Sequence, residues 1–469
     1  MADSSLDVVI LAAGLGTRMK SATIKILHSA GGRPLIDHVL ELAAGVSART
    51  PVMVIGHQRD AVQKHCGERA RYAVQEQQLG TGHAVLQAVE LIEREGALPE
   101  KVLVLSGDVP LTRAETLRYL IDEHSRSGNG VTILSMELSD PALYGRVIRN
   151  GAGGVSHIVE AGDASEEQKK ISEVNGGIYV FEADILFSGL RRLSTNNAQG
   201  EYYLTDLIAM AEKDGRGVGA VIVKDPVEAL GVNSRSELSL VETELKRRHV
   251  EHLMKEGVTF RDPLNVMIDS TVSIGADTII YPFVTIEGAS SIGKGCILDP
   301  GVHLESVTLG DDVHVKTGTV AEGAIVASGS VVGPYAHLRP GTVLGKNVKV
   351  GNFVETKKAV FGEGSKASHL SYIGDAEIGT GVNIGAGTIT CNYDGVNKNK
   401  TVLEDGVFIG SDTQLVAPVT VGKGAYVGAG STITKDVPAD ALALSRTQQK
   451  NIDGWATRRR EEIAAKKKK

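Results

Sequence analysis

The chain has few aromatic residues, few cysteines and no long apolar run, and each shortage argues against a class of protein. Aromatic residues make up 4% of its 469 residues, too few for a platform on which nucleic-acid bases stack. Cys66, Cys296 and Cys391 are odd in number and widely spaced, which argues against a disulfide framework or a structural zinc cluster and fits a reducing cytoplasm. The sequence also lacks the stretch of about 18 apolar residues that a membrane-spanning helix needs.

Basic residues are not in excess either, since the formal net charge is -7. Binding to nucleic acid needs an extended basic surface that neutralises phosphates. We therefore expect no nucleic acid and no membrane among the partners, and small-molecule substrates instead.

Glycine, by contrast, is abundant, and a six-residue period accompanies it. The 55 glycines are about 12% of the chain against a usual 7% or so. Leu, Ile or Val recurs at every sixth position in three runs: Ile268, Ile274, Ile280, Ile286, Ile292, Leu298 and Leu304; Val320, Val326, Val332, Leu338, Leu344 and Val350; Ile409, Leu415, Val421, Val427 and Ile433. This period is typical of a parallel β-helix, in which each coil buries its aliphatic side chains against the next. Residues from about 265 to 437 are therefore predicted to form a solenoid.

The first half of the chain alternates short β-rich runs with helical patterns. The runs are 8–14, 52–56, 102–108, 131–137, 177–183 and 218–225, and helix candidates include 35–45, 82–96 and 113–126. Such alternation predicts a mostly parallel sheet with helices on both faces and ligands at the carboxyl ends of the strands. We predict a domain at 1–229, a linker helix at 230–256, and a second domain with a carboxyl-terminal tail at 257–469.

A glycine-rich turn, LAAGLGTRM at 11–19, follows the first predicted strand. Gly14 and Gly16 let backbone amides turn towards one point, and Arg18 and Lys25 add positive charge, as in sites that hold a polyphosphate. Asp108 directly follows another strand and could hold Mg²⁺ at the same edge. The turn is also compatible with a plain tight connection, and Asp108 with a cap before Pro110.

The ordered set of motifs resembles the sugar-1-phosphate nucleotidyltransferases. It comprises LAAGLGTRM with Lys25, QLGTGHA at 78–84, GDVP at 107–110, YGR at 144–146, Glu160, NGG from Asn175 and GVN ending at Asn233. Together with the hexads, it resembles the family of bifunctional N-acetylglucosamine-1-phosphate uridyltransferases and glucosamine-1-phosphate N-acetyltransferases over about 7–446. The resemblance implies an α/β Rossmann-like nucleotidyltransferase domain followed by a left-handed parallel β-helix.

The resemblance also implies roles for residues of the first domain. The expected UTP-binding residues are Leu11, Ala12, Gly14, Lys25, Gln75, Gly80 and Thr81, and those for the sugar phosphate are Gly145, Glu160, Asn175 and Asn233. Asp108 and Asn233 are expected to share Mg²⁺, and Arg18 to stabilise charge on the transferring phosphate. The chain departs from the family pattern at Leu15, where a polar residue is usual, and at Ile24, where proline is usual. From Ile24 we expect a less rigid Lys25 loop.

The hexad pattern is lost at 351–372 and 390–408, where polar and charged residues gather. Interruptions of a solenoid often form loops on its binding face. His369 stands in the first interruption with Lys357 and Tyr372, and a histidine, as a side chain that titrates near neutral pH, suits a general base that takes a proton from an attacking amine. A lone histidine is also compatible with a structural role.

For this half the resemblance implies an acetyl-CoA-dependent acetyltransferase with His369 as base. The residues expected around glucosamine 1-phosphate are Arg339, Lys357, Tyr372, Asn383, Asn392 and Lys398, and those expected at acetyl-CoA are Ala386, Asn392, Ser411, Ala429 and Arg446. The resemblance further implies a cytoplasmic homotrimer whose product, UDP-N-acetylglucosamine, feeds peptidoglycan and related surface polymers.

Two alternatives accompany this interpretation. In one, the chain is a sugar-1-phosphate nucleotidyltransferase with a single activity, and its solenoid is only a scaffold. In the other, both halves form a non-enzymatic scaffold. The first does not account for the polar segments around His369 and Asn392, and the second does not account for Arg18, Lys25, Asp108 and Asn233 occurring together.

Overall fold

The computed structural model describes residues 3–141, 143–151 and 153–467. Six residues lie outside the described ones: 1, 2, 142 and 152 of the predicted first domain, and Lys468 and Lys469 at the end of the predicted tail. The chain divides into two compact units, Met1–His249 and Val250–Lys469. The domain limits at 229 and 256 stay predictions. In the described part of the chain, no helix is both long and apolar enough to cross a membrane.

Unit 1 is built on one large mixed sheet. Its strands are β1 (Leu6–Leu11), β2 (Ser29–Ala30), β3 (Arg33–Pro34), β4 (Val52–Ile55), β5 (Arg71–Val74), β6 (Lys101–Ser106), β7 (Val131–Glu137), β8 (Arg146–Arg149), β9 (Val155–Val159), β10 (Glu173–Glu182) and β11 (Val218–Ile222), of which β2 and β3 pair separately with each other. The α-helices along the whole chain are α1 (Leu35–Ala44), α2 (Arg59–Cys66), α3 (Thr81–Glu95), α4 (Ala114–Ser127), α5 (Ala183–Leu190), α6 (Asp206–Lys213), α7 (Arg235–Lys255) and α8 (Trp455–Lys467). The main path of the sheet runs β11-β7-β10-β6-β1-β4-β5.

The sheet has a hydrophobic core on each face because strand side chains point alternately to opposite sides. Val9 of β1 belongs to a core with α3, α5 and α6, whereas the adjacent Val8 and Ile10 belong to a second core with α1, α2 and α4. All six predicted strands and the three predicted helices are present, and the predicted mostly parallel sheet is confirmed. The exceptions among the described strands of this sheet are β10, which runs antiparallel to β6, β7 and β8, and β9, which runs antiparallel to β8.

The register of the central strands brings two predicted site segments to one edge. β1 and β6 are parallel, and Leu11 at the end of β1 pairs with Ser106 at the end of β6. The glycine-rich turn after Leu11 and the GDVP segment after Ser106 therefore leave the sheet side by side. This is the edge at which open α/β sheets bind ligands.

Helix α7 packs against the same region of unit 1. Val241 is 1% exposed and shares a small core with Met19, the last residue of the glycine-rich turn, and with Val232. The side chain of Glu242 accepts a hydrogen bond from the Gly31 amide at 2.8 Å. The later residues 250 and 253 of the helix belong to the core of unit 2, so the division between the units falls within α7.

Unit 2 consists of short strands stacked in parallel, as the hexads predict. The strands are β12 (Thr259–Phe260), β13 (Met267–Ile268), β14 (Ser273–Ile274), β15 (Ile279–Ile280), β16 (Thr285–Glu287), β17 (Ser291–Ile292), β18 (Ile297–Leu298), β19 (His303–Glu305), β20 (Thr308–Leu309), β21 (His314–Val315), β22 (Val320–Glu322), β23 (Ile325–Val326), β24 (Val331–Val332), β25 (His337–Leu338), β26 (Val343–Leu344), β27 (Lys349–Asn352), β28 (Glu355–Phe361), β29 (Lys366–His369), β30 (Tyr372–Ile378), β31 (Asn383–Ile384), β32 (Ile389–Cys391), β33 (Thr401–Leu403), β34 (Phe408–Ile409), β35 (Gln414–Val416), β36 (Val419–Val421), β37 (Tyr426–Val427), β38 (Thr432–Ile433) and β39 (Leu442–Ala443).

Each regular coil of this β-helix corresponds to three hexads or to one residue fewer. Thr285 pairs with His303 in the next coil, and His303 pairs with Val320 in the coil after that, at a separation one residue shorter. The inward side chains form one continuous core from Val258 to Val437. The β-helix fold is therefore confirmed, whereas its left-handed sense stays a prediction from the resemblance.

The hexad pattern places one residue wrongly. Val320 is predicted to point inward, but it is only partly buried, and its neighbour Ala321, 2% exposed, pairs with the inward Leu304. The physical reason is that a coil shorter than three full hexads contains one step of five instead of six. The inward positions here run Leu304, Leu309, Val315, Ala321 and Val326.

The first predicted interruption, 351–372, is also wrong. β27, β28, β29 and β30 continue the parallel ladder through it, with Lys349 paired to Lys366 and Glu355 to Tyr372. The aliphatic period is lost because threonine and alanine occupy two inward positions and one step is a residue short. The successive inward positions, each at most 1% exposed, are Val350, Thr356, Phe361, Ala367 and Ile373.

The second predicted interruption, 390–408, does contain an insertion. Ala376 pairs with Thr401 and Asn383 with Phe408, so this coil is longer than the regular ones. The additional residues lie between β32 and β33, where 393–398 are all exposed. This segment, 392–400, is a loop that leaves the solenoid wall.

Candidate functional site

A cavity of about 380 Å³ opens at the carboxyl edge of the sheet in unit 1. Sequence reasoning assigns no role to Gln78, Ser106 and Glu201, which line it. Gln78 donates a hydrogen bond from Nε2 to the Ala13 carbonyl at 3.1 Å and so joins the two glycine-rich segments. The lining also includes eight residues that the resemblance assigns to UTP or Mg²⁺: Leu11, Ala12, Gly14, Lys25, Gln75, Gly80, Thr81 and Asp108.

Three residues far apart in sequence meet at this cavity. The Lys25 ammonium donates one hydrogen bond to Asp108 Oδ2 and another, of 3.0 Å, to Asn233 Oδ1. The Val232 amide donates to the Asp108 carbonyl at 2.9 Å, which holds the GVN segment beside the end of β6. A carboxylate oxygen and an amide oxygen are thus directed at one cationic centre.

The glycine-rich turn supports Lys25 from the side. Gly16 has φ +60°, and a Cβ at this position would lie 2.8 Å from the Lys25 Cβ, so only glycine fits. Ile24 is 4% exposed and its side chain lies in the sheet core. Its φ of -60° is one that proline would also adopt. Ile24 therefore keeps the backbone angle that the usual proline would have, and its buried side chain holds the loop against the core.

Arg18, unlike Lys25, is exposed to solvent and its guanidinium is not paired with another described residue. It lies in the 3-10 helix Thr17–Met19, and among the described residues it has no hydrogen-bond or ion-pair partner. It does not line the cavity. Arg18 is nevertheless close enough to influence the Tyr144 hydroxyl, whose pKa is raised mainly by burial.

A second group of predicted residues surrounds Glu160. Its Oε1 accepts a 3.0 Å hydrogen bond from Thr205, and a Cβ on Gly145 would lie 3.3 Å from its Oε2. Burial, with smaller effects from nearby acidic groups including Asp163, raises the pKa of this carboxyl. Glu160 and Gly145 are therefore adjacent in the structure.

Asn175 belongs to the same region through the backbone. Its amide donates to the Gly145 carbonyl at 2.9 Å, and its side chain donates to the Tyr179 hydroxyl at 2.6 Å. The structure therefore brings Asn175 beside Gly145, and its role in holding the sugar phosphate stays a prediction.

The segment EYYLTD at 201–206, which carries Thr205, has no role in the sequence analysis. The Tyr202 amide donates to the Leu79 carbonyl, and the Tyr202 carbonyl accepts from the Gly82 amide. This segment and the glycine-rich start of α3 are thus hydrogen-bonded to each other. No motif marks the segment, so only the structure places it beside the cavity.

In unit 2, His369 and three of the predicted acetyl-CoA residues, Ala386, Ser411 and Ala429, occupy one column along a corner of the solenoid. We call the residues Asn352, His369, Ala386, Ser411 and Ala429 the His369 column, because each lies at the same offset from the inward residue of a strand in successive coils. Backbone hydrogen bonds along the corner connect the residues after Ser411 and Ala429 to the preceding coil. The side chain of Arg446 donates to the Ala429 carbonyl at 2.9 Å.

His369 is exposed and is held by the residue before it in this column. Its Nδ1 lies 2.6 Å from the Asn352 Oδ1, and Asn352 is its partner in the strand register. Because an amide oxygen can only accept, this contact places the proton on Nδ1 and leaves Nε2 with a free lone pair. Sequence reasoning missed Asn352, which had no signal beyond lying one coil before His369.

Four of the predicted amino-sugar phosphate residues, Arg339, Lys357, Tyr372 and Asn392, lie on or next to strands of the 17-stranded sheet, the larger of the two parallel sheets of the solenoid. Lys357 Nζ is 3.8 Å from Asp375 Oδ2, and Asn392, 5% exposed, donates from Nδ2 to the same oxygen at 2.6 Å. Tyr372 pairs with Glu355. Through Glu355 the group also reaches Arg339, which forms a 2.8 Å ion pair with that carboxylate. Arg339, Lys357 and Tyr372 thus lie on adjacent coils of one face.

Two predicted residues are not brought into this group. Asn383 lies on the 11-stranded sheet, where it pairs with Lys366 and Phe408. Lys398 lies in the 392–400 loop with its ammonium 4.1 Å from the centre of the Tyr393 ring. No contact of either residue with the Lys357 group is present within the described chain.

A larger cavity, of about 700 Å³, lies elsewhere in unit 1 and contains no predicted site residue. Charged residues that line it are paired: Arg33 with Glu41 at 2.7 Å and Arg69 with Asp37 at 2.8 Å. These pairs leave little free charge for an ionic ligand.

A cavity lined by a glycine-rich turn at the edge of an α/β sheet, followed along the chain by a parallel β-helix, fits a nucleotidyltransferase joined to a hexapeptide-repeat transferase. Comparisons with known families agree. Residues 7–226 match the nucleotidyl transferase family, 263–362 match the GMPPB C-terminal domain, and 400–435 match the bacterial transferase hexapeptide (six repeats).

Relatives match the chain over nearly its full length. Bifunctional protein GlmU of Trichlorobacter lovleyi is 52% identical over 455 residues, 97% of this chain and 98% of that protein. Those of Pelobacter propionicus and Geobacter sulfurreducens are 50% and 47% identical, over 97% and 98% of this chain and 98% and 100% of their own lengths. The chain belongs to the bifunctional GlmU family. The predicted bifunctional enzyme of UDP-N-acetylglucosamine synthesis is confirmed, and both scaffold alternatives are set aside.

Proposed function

We propose that unit 1 joins UTP to N-acetylglucosamine 1-phosphate at the sheet-edge cavity and that unit 2 acetylates glucosamine 1-phosphate with acetyl-CoA at the His369 column. The observation that carries the first assignment is the meeting of Lys25, Asp108 and Asn233, since Lys25 and Asn233 are separated by 208 positions in the sequence. Neither packing nor secondary structure explains why these polar groups converge. A site for a cation that is bound to phosphates explains it, because such a cation takes oxygen ligands of this kind.

The residues at this point fit Mg²⁺. Asp108 Oδ2 and Asn233 Oδ1 are the hard oxygen donors that the ion prefers, and both already face one cation, the Lys25 ammonium. When bound there, Mg²⁺ would neutralise charge on the phosphates of UTP. Asp108 and Asn233 would hold the ion, and Lys25 would turn its ammonium to a phosphate.

For uridylyl transfer, the protein mainly positions the two substrates and neutralises the charge on their phosphates. A phosphate oxygen of the sugar phosphate attacks the α-phosphorus of UTP, the bond from that phosphorus to the bridging oxygen breaks, and pyrophosphate leaves. Arg18 is free to meet the charge that develops on the transferring group. Glu160, Gly145 and Asn175 would hold the sugar.

For acetyl transfer, His369 acts as general base. Its free Nε2 takes a proton from the amine of glucosamine 1-phosphate as the nitrogen attacks the thioester carbonyl. The new amide bond forms, the carbon–sulfur bond breaks, and the proton passes to the departing thiolate. Arg339 and Lys357 supply positive charge for the sugar phosphate. The proposed acetyl-CoA contacts are Asn392, Ala386, Ser411, Ala429 and Arg446.

Two further parts of the proposal concern assembly and compartment. We propose a homotrimer, which would bring Asn383 and Lys398 of neighbouring copies to a site that one chain leaves incomplete. We propose a cytoplasmic location, because the free cysteines Cys66, Cys296 and Cys391 fit a reducing compartment.

An omission experiment tests the proposed function. The protein is mixed with glucosamine 1-phosphate, acetyl-CoA, UTP and Mg²⁺, and each is left out in turn. We expect pyrophosphate release to need all four, unless N-acetylglucosamine 1-phosphate replaces the first two. Full-rate pyrophosphate release from glucosamine 1-phosphate without acetyl-CoA would contradict the two-step scheme.

A further inference from the structure

The side-chain amide of Gln75 is fixed by two neighbours, one of which has no assigned role. Gln75 is 4% exposed and lines the sheet-edge cavity. Its Nε2 donates to the Gly80 carbonyl at 3.1 Å and lies 3.0 Å from Nδ1 of His83. With Nδ1 of His83 unprotonated, both hydrogens of the amide nitrogen are used within the protein.

This arrangement determines which way the amide faces. A backbone carbonyl only accepts, so the group facing Gly80 must be the amide nitrogen. His83 strengthens that choice when its Nδ1 carries no proton, because a reversed amide would then present its oxygen to two acceptors. The Gln75 Oε1 is left without a hydrogen-bond partner among the described residues, in a side chain that is otherwise buried.

The backbone beside this amide supplies the complementary group. Gly80 has φ +106°, and its N–H has no acceptor within the described chain. Only glycine fits there, because a Cβ would lie 2.6 Å from the Tyr202 carbonyl. Gln75 and Gly80 thus offer an acceptor and a donor to a ligand in the cavity.

Uracil and cytosine differ in the order of these groups. Uracil offers a donor at N3 and an acceptor at O4, which match an acceptor and a donor in the protein, whereas cytosine offers an acceptor at N3 and a donor at N4. With the Gln75 amide reversed, its NH₂ group would face the acceptor N3 of cytosine. One of the two mismatches with cytosine would then disappear, and only the one between N4 and the Gly80 amide would remain. Orientation of that amide is therefore a determinant of the base that is accepted.

We propose that His83 is a positioning residue that selects uracil over cytosine by fixing the orientation of the Gln75 amide. This inference rests on the proposal that the cavity holds UTP. His83 is partly buried on the first turn of α3, and the centre of its ring lies 6.4 Å from that of Tyr202, with the planes at 31°. Its ring does not line the cavity, so it acts through Gln75 and not by touching the base.

Two substitutions separate this role from a packing role. His83→Phe keeps a ring but removes the acceptor, and His83→Asn places an amide oxygen near the former Nδ1. We expect His83→Phe to lower the ratio of kcat/KM for UTP to that for CTP about tenfold, the size of one hydrogen bond. The loss should appear in KM for UTP rather than in kcat, and His83→Asn should keep most of the ratio. An unchanged ratio in His83→Phe, or equal losses in both variants, would overturn the inference.

A double-mutant cycle with Gln75 provides the decisive control. Gln75→Met removes the amide, so a further His83→Phe change should leave the UTP to CTP ratio where Gln75→Met alone puts it. A second tenfold fall would show that His83 acts by another route. Acetyl transfer by unit 2 should be the same in all variants, and an unchanged kcat with UTP reports that unit 1 is folded. Failure of the proposed function is distinct, since the unsubstituted protein would then form no UDP-sugar at all.

Discussion

His369 Nδ1 and Asn352 Oδ1 are joined by a 2.6 Å hydrogen bond across two successive coils of the solenoid. The contact leaves the basic Nε2 of the imidazole free to meet a substrate. His369→Ala should therefore lower acetyl transfer by roughly 10²- to 10⁴-fold, the usual contribution of a general base. Uridylyl transfer from UTP, measured on the same preparation, should be unchanged. A variant with full acetylation would remove His369 from its proposed role.

Asn352 should act through His369. Asn352→Leu removes the acceptor, so we expect kcat for acetyl transfer to fall about tenfold, with a smaller change in KM. Asn352→Asp keeps an acceptor and adds a negative charge, which raises the pKa of the imidazole. Since only the neutral base is active, the acid limb of its pH–rate profile should move to higher pH. Identical profiles for Asn352→Asp and the unsubstituted protein would contradict the coupling.

Arg18 should show the opposite pattern of activities. Arg18→Ala removes a charge that is free to meet the transferring phosphate, and we expect uridylyl transfer to fall by about 10²- to 10³-fold. Acetyl transfer should persist. Arg94→Ala, at an exposed arginine on α3, serves as the matched control. Equal loss of both activities in Arg18→Ala would point to misfolding.

Lys25 and a divalent cation should compete for the same oxygens. Because the ammonium binds Asp108 and Asn233, Lys25→Met should tighten Mn²⁺ binding without nucleotide on the order of tenfold. The same change should weaken UTP binding. Electron paramagnetic resonance of Mn²⁺ measures the first effect, and calorimetry measures the second. Lys64→Met on α2, an exposed site, should alter neither, and unchanged Mn²⁺ affinity in Lys25→Met would exclude the competition.

Glu160 should reduce the stability of unit 1 at neutral pH. Burial raises the pKa of its carboxyl in the folded state, so the folded protein binds the proton more tightly than the unfolded chain does. Stability contributed by this group is then lost as pH rises from the unfolded pKa through the folded one. Glu160→Gln should therefore raise the free energy of unfolding at pH 7 and weaken sugar-phosphate binding.

Chemical denaturation at two pH values measures this effect. The difference between Glu160→Gln and the unsubstituted protein should shrink as pH falls below the unfolded pKa, where both side chains are neutral. A stability difference that is the same at both pH values would show that the charge is not its cause.

Much of the fold follows from the sequence because aliphatic side chains report burial directly. The glycine-rich turn and Asp108 each follow a strand that is a run of Val, Ile and Leu. These two strands are parallel neighbours, so their carboxyl ends lie side by side. The solenoid is harder to follow at Thr356 and Ala367. Both are buried in the core, yet neither residue type signals an inward position, so a continuous wall resembles an interruption.

The site residues divide in the same way. Gly14, Lys25 and Gly80 belong to motifs with a recognisable order, whereas Asn352 belongs to none. His83 lies within the QLGTGHA motif, but only its contact with Gln75 identifies the role proposed for it. Asn352 lies one coil before His369. The coils differ in length, and the coil with the 392–400 loop is longer than the regular ones. The sequence alone contains no rule that pairs these two positions.

The His369 column has a consequence for the length of the ligand that is proposed to lie along it. Adjacent parallel strands are about 4.8 Å apart, so Ala429, three coils beyond His369, lies roughly 14 Å from it along the wall. With acetyl-CoA placed along this column as proposed, the wall sets the span of the acyl carrier in steps of one coil. We expect a protein with one coil removed or duplicated between His369 and Ala429 to fit a carrier that is shorter or longer by about 4.8 Å.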